Sequence, residues 1–209
     1  MSERGRLITI EGVDGAGKTT LATGLRAALA RAGVHVVLMR EPGGVETSEA
    51  VRALVKDPRL TVGSRAEALL YAAARAQLVE EALEPTLASG EWVLLDRFVD
   101  SSLAYQGGGR ELGVDAVRDL NLFATGGLTP DRTLLLTLDP ASAQARADAR
   151  GEAPDRLEQG GAEFFSRIAD AYRALAAAEP NRIRVLDATL PPEQVVADAL
   201  AALDDLLPR

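Results

Sequence analysis

The chain has 209 residues, 47% of them hydrophobic, which is enough to bury the core of a single domain. Its net charge of -8 argues against a protein that grips a nucleic-acid backbone, because such a surface must be basic. The chain has no cysteine, which excludes disulfides and thiolate metal sites, and its single histidine, His35, is expected at a strand edge without a catalytic role.

Short apolar runs alternate with helical patterns along the chain. The main predicted helices cover residues 18–32, 64–88 and 161–178, and strands are predicted at residues 7–11, 34–40, 92–96, 133–138 and 182–187. The strand runs are almost continuously apolar, which is typical of parallel strands covered on both faces. This alternation predicts one α/β domain with a five-stranded parallel sheet flanked by helices.

The last predicted helix has the clearest periodicity, with Phe165, Ile168, Tyr172 and Leu175 on one face. Residues 149–161 before it are rich in glycine, proline and charge, which indicates a surface loop within the domain. No apolar run reaches the length of a membrane span, and the polar residues 1–6 do not resemble a secretion signal. We therefore expect a cytoplasmic protein with neither a membrane nor a nucleic-acid partner.

The sharpest motif is a phosphate-binding loop with the pattern G-x-x-x-x-G-K-[ST], placed between a predicted strand and a predicted helix. Its glycines let backbone N–H groups converge on phosphate oxygens at the start of a helix. Its lysine reaches the β- and γ-phosphates, and its threonine ligates Mg²⁺. The motif and the residue after it predict contacts with the phosphates of a nucleotide from Gly12, Val13, Asp14, Gly15, Ala16, Gly17, Lys18, Thr19 and Thr20. The motif alone does not distinguish a GTPase, a motor ATPase and a small-molecule kinase. No Asn-Lys-x-Asp guanine motif is present, which disfavours a GTPase.

Two further segments indicate a second ligand. Residues 40–44, with the sequence REPGG, follow the second strand at the edge where ligands bind an open parallel sheet. At the end of the third strand, Asp96 is suited to hold magnesium-bound water and Arg97 to clamp a phosphate. Ser102, Tyr105 and Gln106 follow closely and offer polar groups for a base or a sugar.

Tyr71 and Arg75 are four residues apart in the predicted helix 64–88, so they share one face. The pair is suited to stack on a base and to hydrogen-bond its edge. The alternative is a core tyrosine beside a solvated arginine, and spacing alone favours this alternative.

Three segments together carry a family resemblance: EGVDGAGKTT at residues 11–20, REPGG at residues 40–44, and the pattern D-R-F-x-x-S-x-x-A-Y-Q-G at residues 96–107. In order and spacing the chain closely resembles bacterial thymidylate kinase over almost its whole length. The resemblance implies a P-loop NTPase fold with a short lid at about residues 146–161, forming one nucleoside monophosphate kinase domain over residues 1–209. It also implies phosphorylation of dTMP to dTDP with ATP and Mg²⁺, as a step in dTTP synthesis, by a homodimer.

The resemblance also implies roles for matching residues. It implies that Arg97 and Arg52 bind the acceptor phosphate, with Arg40 and Glu41 nearby. It also implies that Asp14 and Asp96 lie near this phosphate and the magnesium ion, and that Asp96 and Thr19 are the metal ligands. For the base, it implies that Tyr71 stacks on thymine and that Arg75 and Gln106 reach the edge of thymine, with Ser102 close by. For the sugar, it implies that Tyr105 lies against the deoxyribose and disfavours a 2′-hydroxyl. Lys18 belongs to the catalytic set.

The family has two subtypes, which carry the catalytic arginine either in the phosphate loop or in the lid. Gly15 occupies the loop position in this chain, whereas the lid contains Arg146, Arg150 and Arg156. The chain therefore resembles the lid-arginine subtype, with Arg150 and Arg156 as the expected catalytic arginines. A lid arginine that closes over ATP would stabilise the transferring phosphoryl group and exclude water.

Two alternatives to a thymidylate kinase stay open at this point. One is a kinase of similar fold that phosphorylates another nucleoside monophosphate or small molecule. The other is a regulatory module that binds ATP without turning over an acceptor, although such a module gives no reason for Asp96, Arg97, Tyr105 and Gln106 to occur together.

Overall fold

The computed structural model describes residues 4–148, 156–157 and 160–208. Its strands form one parallel sheet in the order β2-β3-β1-β4-β5, which confirms the predicted five-stranded α/β architecture. The strands are β1 (Leu7–Glu11), β2 (Val36–Arg40), β3 (Trp92–Asp96), β4 (Arg132–Thr137) and β5 (Ile183–Asp187). Strand β1 lies in the centre of the sheet and is fully buried, as its apolar run predicts.

Helices cover the sheet on both sides. The α-helices are α1 (Lys18–Arg31), α2 (Glu46–Lys56), α3 (Ser64–Leu78), α4 (Glu84–Ala88), α5 (Val99–Ser102), α6 (Val114–Thr125), α7 (Pro140–Asp148), α8 (Ala162–Ala178) and α9 (Pro192–Ala201). The other helical elements in the described ranges are the π-helical segments Val79–Leu83 and Leu103–Gly109 and the 3₁₀ turn Asp204–Leu206. The predicted helix 64–88 is therefore continuous in direction but contains a π-helical segment between α3 and α4.

The buried face of α8 agrees with the predicted one and also includes Phe164. Ile168, Tyr172 and Leu175 are buried, and the partly buried Phe165 packs against the same core. Phe164 is more buried than Phe165 because the face turns towards the π-helical segment Leu103–Gly109, which packs on α8. A Cβ atom on Gly109 would lie 2.7 Å from the Phe164 ring, so this close approach requires glycine.

The fold brings the predicted site segments to one edge of the sheet. Strands β1, β2 and β3 are parallel, so the phosphate-binding loop after β1, residues 40–44 after β2 and residues 96–107 after β3 meet at their carboxyl ends. His35 precedes β2 and is highly exposed, which agrees with the surface position expected for it. None of the helices in the described ranges is long and apolar enough to cross a membrane. A cytoplasmic location stays a prediction from the sequence.

Candidate active site

The phosphate-binding loop connects β1 to the first turn of α1. Gly12 has φ 137°, and a Cβ atom there would lie 2.6 Å from the carbonyl oxygen of Leu136, so no other residue fits the turn. Lys18 is buried, and its ammonium group donates to the carbonyl oxygens of Gly12 at 3.1 Å and Val13 at 3.0 Å. The lysine thus holds the loop closed and stands where phosphates would replace these carbonyl partners.

A cleft of about 400 Å³ opens beside this loop. Most of the predicted site residues line it: Asp14, Gly15, Gly17, Lys18, Thr19, Thr20, Arg40, Glu41, Arg52, Tyr71, Arg75, Asp96, Arg97, Ser102, Tyr105 and Gln106. Gly12, Val13 and Ala16 belong to the loop but are not among the lining residues. The fold therefore places both halves of the predicted site, the donor loop and the acceptor segments, around one cavity.

Asp14 links these two halves. Its Oδ1 accepts a hydrogen bond from Arg97 at 2.8 Å and lies 3.7 Å from the ammonium group of Lys18. Burial alone would raise the pKa of Asp14, but the charges of Arg97 and Lys18 hold it well below its ordinary value. Burial and the nearby Arg97 lower the pKa of Lys18 to about 8. The cleft thus holds two cations bridged by an ionised carboxylate.

Arg97 occupies an unusual turn. Its φ of 69° is in the left-handed region that disfavours a residue with a side chain. Its backbone N–H donates to the carbonyl oxygen of Ile10 at 3.0 Å, and the next N–H, from Phe98, donates to Glu11 Oε1 at 2.8 Å. Two bonds to the β1 segment therefore hold the turn in this conformation.

Glu11 is a site residue that the sequence prediction missed. It is fully buried, and its Oε2 accepts hydrogen bonds from Ser101 at 2.5 Å and Tyr172 at 2.9 Å. Burial and the charge of Asp100 raise the pKa of Glu11 to about 7. Only its position at the end of a buried strand, directly before the phosphate-binding loop, marked this residue.

Tyr105 packs against the phosphate-clamp arginine. Its hydroxyl group accepts a hydrogen bond from Arg97 at 3.3 Å, and the guanidinium lies 5.1 Å from the centre of its ring. The ring also makes an edge-to-face contact with Phe164. Burial raises the pKa of Tyr105, so the hydroxyl group keeps its proton. The ring is therefore fixed on two sides at the wall of the cleft.

The spacing-based interpretation of Tyr71 and Arg75 was wrong. Arg75 is the buried member, with 2% of its surface exposed, and Tyr71 is only partly buried. All three guanidinium nitrogens of Arg75 donate to protein: Nε to Glu41, Nη1 to Ser102 and Asn121, and Nη2 to the carbonyl oxygen of Phe98. Nη2 also forms an ion pair with Glu41. The guanidinium is buried because partners from distant segments surround it, and helical spacing cannot reveal such partners.

The segment after β2 is tied to α2. Arg40 and Arg52 both donate to the carbonyl oxygen of Pro42, at 3.1 Å and 2.8 Å, and the peptide bond between Glu41 and Pro42 is cis. Arg40 also pairs with Glu49 at 2.7 Å. These bonds hold two arginines and the buried Glu41 at the wall of the cleft opposite the phosphate-binding loop.

Gln106 meets a buried acid that the prediction also missed. Its Nε2 donates to Glu67 Oε1 at 2.9 Å, and Arg110 donates to both oxygens of Glu67 at 3.2 Å and 3.1 Å. Glu67, Tyr71 and Arg75 follow one another at four-residue intervals on α3, so helical periodicity could have revealed Glu67 as part of this face.

The lid is described in part. Arg146 lines the cleft and donates to the carbonyl oxygen of Ala188 at 3.0 Å. Arg156 is not among the lining residues; it forms an ion pair with Glu67 at 2.7 Å and donates to the carbonyl oxygen of Val55 at 2.9 Å. The other expected catalytic arginine, Arg150, lies outside the described residues. The structure thus brings Arg146, not Arg156, to the wall of the cleft.

The residues available for a metal ion are few. Asp96 Oδ1 is buried without a hydrogen-bond partner among the described residues, so a strong acceptor is available beside the phosphate-binding loop. Among the described residues there is no group of three or more acidic, histidine or cysteine side chains that could hold a metal. A single acceptor such as Asp96 suits Mg²⁺, which commonly keeps water and phosphate oxygens as ligands and uses one or two protein groups.

Several lining residues were not predicted: Lys56, Ser101, Pro42, Arg146 and Leu157. Lys56 lies four residues after Arg52 on α2, so the same helical spacing that links Tyr71 to Arg75 could have suggested it. Leu157 adjoins segments outside the described residues, and no sequence pattern marked it.

A phosphate-binding loop that faces a second cluster of arginines across one cleft defines a P-loop kinase for small phosphorylated acceptors. The family model described as Thymidylate kinase matches residues 10–199. The chain is 49% identical to the thymidylate kinase of Deinococcus radiodurans over 97% of this chain and 98% of that protein. It is 49% identical to that of Oenococcus oeni and 45% identical to that of Halorhodospira halophila, again over nearly the full length of both proteins. The chain belongs to the thymidylate kinase family.

Proposed function

We propose that this protein transfers the terminal phosphoryl group of ATP to dTMP and releases dTDP and ADP. The observation that carries this proposal is the single cleft in which Lys18 of the phosphate-binding loop and Arg97 of the acceptor segment are joined by Asp14. Such an arrangement suits a reaction in which two phosphates must be brought together in line and their charge neutralised. Membership of the thymidylate kinase family selects dTMP as the acceptor.

The donor half would bind ATP with Mg²⁺. Backbone N–H groups of the phosphate-binding loop and the start of α1 would contact the phosphates, and Lys18 would exchange its two carbonyl partners for phosphate oxygens. The Thr19 hydroxyl group and Asp96, directly or through water, would hold Mg²⁺. When bound, the ion supplies positive charge that polarises the phosphate oxygens.

The acceptor half would bind the monophosphate of dTMP. Arg97 and Arg52 would contact its phosphate, with Arg40 and Glu41 nearby. The supporting geometry is the convergence of these side chains on one wall of the cleft, where the backbone turn and Asp14 hold Arg97 and the carbonyl oxygen of Pro42 holds Arg52. Because Arg97 is already fixed, little side-chain entropy is lost when it meets the phosphate.

The nucleoside would lie between Tyr71 and Tyr105. Tyr71 would stack on thymine, and Tyr105 would lie against the deoxyribose. Gln106 and Arg75 are the proposed contacts to the edge of the base, with Ser102 close by. Since the nitrogens of Arg75 already donate to protein acceptors, a contact with thymine would share one of these donors. Gln106 has fewer protein partners and is the better placed of the two.

Catalysis would need no covalent enzyme intermediate. The side chains around the two phosphates position them and neutralise negative charge as it develops on the transferring group. We also propose the lid-arginine subtype, because Gly15 offers no side chain in the loop whereas the lid contains three arginines. Arg150 and Arg156 were expected to act on the phosphates. Because Arg156 contacts Glu67 and Val55, Arg150 is the stronger candidate for the catalytic arginine. Arg146, which lines the cleft, is the other lid arginine to consider.

A coupled assay of ADP release tests the reaction. The protein is mixed with ATP, Mg²⁺ and, in turn, dTMP, dUMP, UMP, CMP, GMP and AMP. We expect fast turnover with dTMP and much slower turnover with the others. Faster turnover with another monophosphate would keep the kinase but contradict the proposed substrate. ATP binding without turnover of any acceptor would indicate a regulatory nucleotide-binding module instead.

We further propose that the protein is a homodimer. Four large apolar side chains are exposed on α2, α3 and α6, which are neighbouring helices: Leu54, Leu69, Leu122 and Phe123. Phe123 exposes 89% of its surface. Single exposed apolar residues are common, but a group of them on adjacent helices is typical of an interface. A second copy of the chain is the partner that the family resemblance implies.

A further inference from the structure

Glu67 joins three parts of the site through one carboxylate. It is completely buried on α3, accepts hydrogen bonds from Gln106 at 2.9 Å and from Arg110 at 3.1 Å, and forms an ion pair with Arg156 at 2.7 Å. These partners come from the acceptor segment, from the residue that follows it and from the lid. A buried carboxylate is tolerated only when charged or hydrogen-bonding partners compensate it, and two arginines do so here.

The contact with Glu67 fixes the orientation of the Gln106 side chain. An ionised carboxylate only accepts hydrogen bonds, so the amide nitrogen of Gln106 must face it. The oxygen, Oε1, then lies on the other arm of the planar amide. Because Gln106 lines the cleft, the group that it offers to a base is this acceptor. An acceptor suits a pyrimidine with an N–H at ring position 3, as in thymine, and it opposes cytosine, whose ring nitrogen is itself an acceptor.

The same carboxylate anchors the lid. Arg156 is exposed over only 11% of its side chain, and besides Glu67 it contacts the carbonyl oxygen of Val55 near the end of α2. Arg52 and Lys56, which lie on either side of Val55 in α2, line the cleft. The lid residue Arg156 is therefore fastened to the acceptor half of the site.

We propose that Glu67 is a positioning residue that orients the Gln106 amide and, through Arg156, docks the lid, so that base recognition and lid position depend on one carboxylate. Neither Glu67 nor Arg156 needs to contact a reacting phosphate in this role. The inference rests on the proposed dTMP kinase function. It does not depend on which other lid arginine contacts ATP.

The first test is the isosteric change Glu67→Gln. It keeps the size of the side chain, removes the charge shared by Arg110 and Arg156, and lets the Gln106 amide turn over. We expect kcat/KM for dTMP to fall about tenfold and the preference for dTMP over dCMP to fall by a similar factor, the loss typical of one buried hydrogen bond to a charged group. Glu67→Asp keeps an acceptor-only group and should retain most of the preference, which a merely structural role does not predict.

The second test is a double-mutant cycle between Glu67→Gln and Arg156→Ala, read as the KM for dTMP, which both the amide contact and the docked lid should affect. Because the two side chains are in contact, we expect the KM of the double variant to exceed that of the weaker-binding single variant by no more than about twofold. The cycle between Glu67→Gln and Arg146→Ala is the matched control. Arg146 also belongs to the lid but contacts Ala188, so its effect should be additive.

A folded Glu67→Gln variant with unchanged KM and preference would overturn the proposal, and so would an additive cycle with Arg156→Ala. If Glu67→Gln does not fold, the kinetics of Arg156→Ala alone test the proposal. This variant should fold, because Arg110 still balances the buried negative charge of Glu67. A raised KM for dTMP in this variant would support docking of the lid through Arg156; a loss confined to kcat would contradict it. Failure of the proposed function is distinct, because the wild-type protein would then not turn over dTMP.

Discussion

At the scale of single residues, Glu11 explains how an unfavourable backbone conformation is held beside the reacting groups. Its carboxylate accepts hydrogen bonds from Phe98 and Ser101, which follow Arg97 in the chain, and from Tyr172 on α8. The left-handed turn at Arg97 costs on the order of 1 kcal/mol or more, and these bonds offset that cost. Glu11 is thus a positioning residue for Arg97, although its own side chain does not line the cleft.

We predict that Glu11 makes stability depend on pH. The pKa of Glu11 is raised from 4.5 to about 7 in the folded protein, so the folded state binds more protons than the unfolded state between these values. The contribution of Glu11 to the free energy of unfolding therefore falls as pH rises through this window, by roughly 2–3 kcal/mol. Urea unfolding at pH 5 and pH 8 measures it. At pH 5 the wild-type protein should have a larger free energy of unfolding than Glu11→Gln, and at pH 8 the variant should have the larger one. A difference in the free energy of unfolding that does not change with pH would contradict the prediction.

A second prediction at this scale concerns Tyr105, whose ring is fixed between Arg97 and Phe164. If the ring closes the space beside C2′ of the sugar, Tyr105→Ala should lower the preference for dTMP over the corresponding ribonucleotide by about tenfold or more. Tyr105→Phe is the control, because it keeps the ring and loses only the hydrogen bond to Arg97. It should keep the preference while kcat/KM falls a few-fold. Equal selectivity in all three proteins would rule out this role.

The same residues show how far the sequence alone could predict the site. Asp14, Lys18 and Arg97 were predictable because a strand end or a glycine-rich loop fixes where such side chains point. The burial of Arg75 was not, because Glu41, Ser102 and Asn121 come from three other segments. Nothing in the sequence distinguishes Glu11 and Glu67 from other acidic residues. Only tertiary packing brings several hydrogen-bonding or charged partners to each of their carboxylates.

At the scale of elements, the alternation of apolar runs and helical periodicity was sufficient for the sheet and its connections. The differences were local. The face of α8 also includes Phe164 because it packs on a π-helical segment, and the helix predicted over residues 64–88 contains another such segment. Neither π-helical segment changes the hydrophobic pattern enough to be recognised from the sequence, since each preserves the direction of its helix.

The lid carries the prediction that belongs to this scale. The proposed lid-arginine subtype, based on Gly15 in the phosphate-binding loop, requires an arginine from the lid to neutralise the transferring phosphoryl group. Arg156 is held by Glu67. Arg150→Ala should therefore lower kcat by about a hundredfold or more and leave the KM for dTMP nearly unchanged. Steady-state kinetics with varied dTMP at saturating ATP measures both values.

The control for the lid is Arg173→Ala, on the exposed side of α8, which should have normal kinetics. Near-normal turnover by Arg150→Ala would contradict the assignment of Arg150. If Arg146→Ala then lost kcat instead, the catalytic arginine would be the one that lines the cleft.

At the scale of the whole molecule, the charge distribution explains how an acidic protein binds two anionic nucleotides. The chain has a net charge of -8, yet Lys18, Arg40, Arg52, Lys56 and Arg97 all line the cleft. Local cations held by nearby acids and carbonyl oxygens therefore replace a basic surface. This arrangement favours small phosphorylated ligands over a nucleic-acid backbone, which needs an extended positive field.

The last prediction concerns assembly. The exposed apolar side chains on α2, α3 and α6 should be covered by a second copy, so the wild-type protein should have twice the mass of one chain in solution. Leu122→Glu together with Phe123→Glu places two charges in this surface, where desolvation and like-charge repulsion between copies would oppose association. Light scattering coupled to size-exclusion chromatography should show a monomer for this variant. Leu190→Glu, placed between β5 and α9, is the matched control and should remain a dimer. An unchanged mass for the double variant would place the interface elsewhere on the molecule, and a monomeric wild-type protein would reject the homodimer itself.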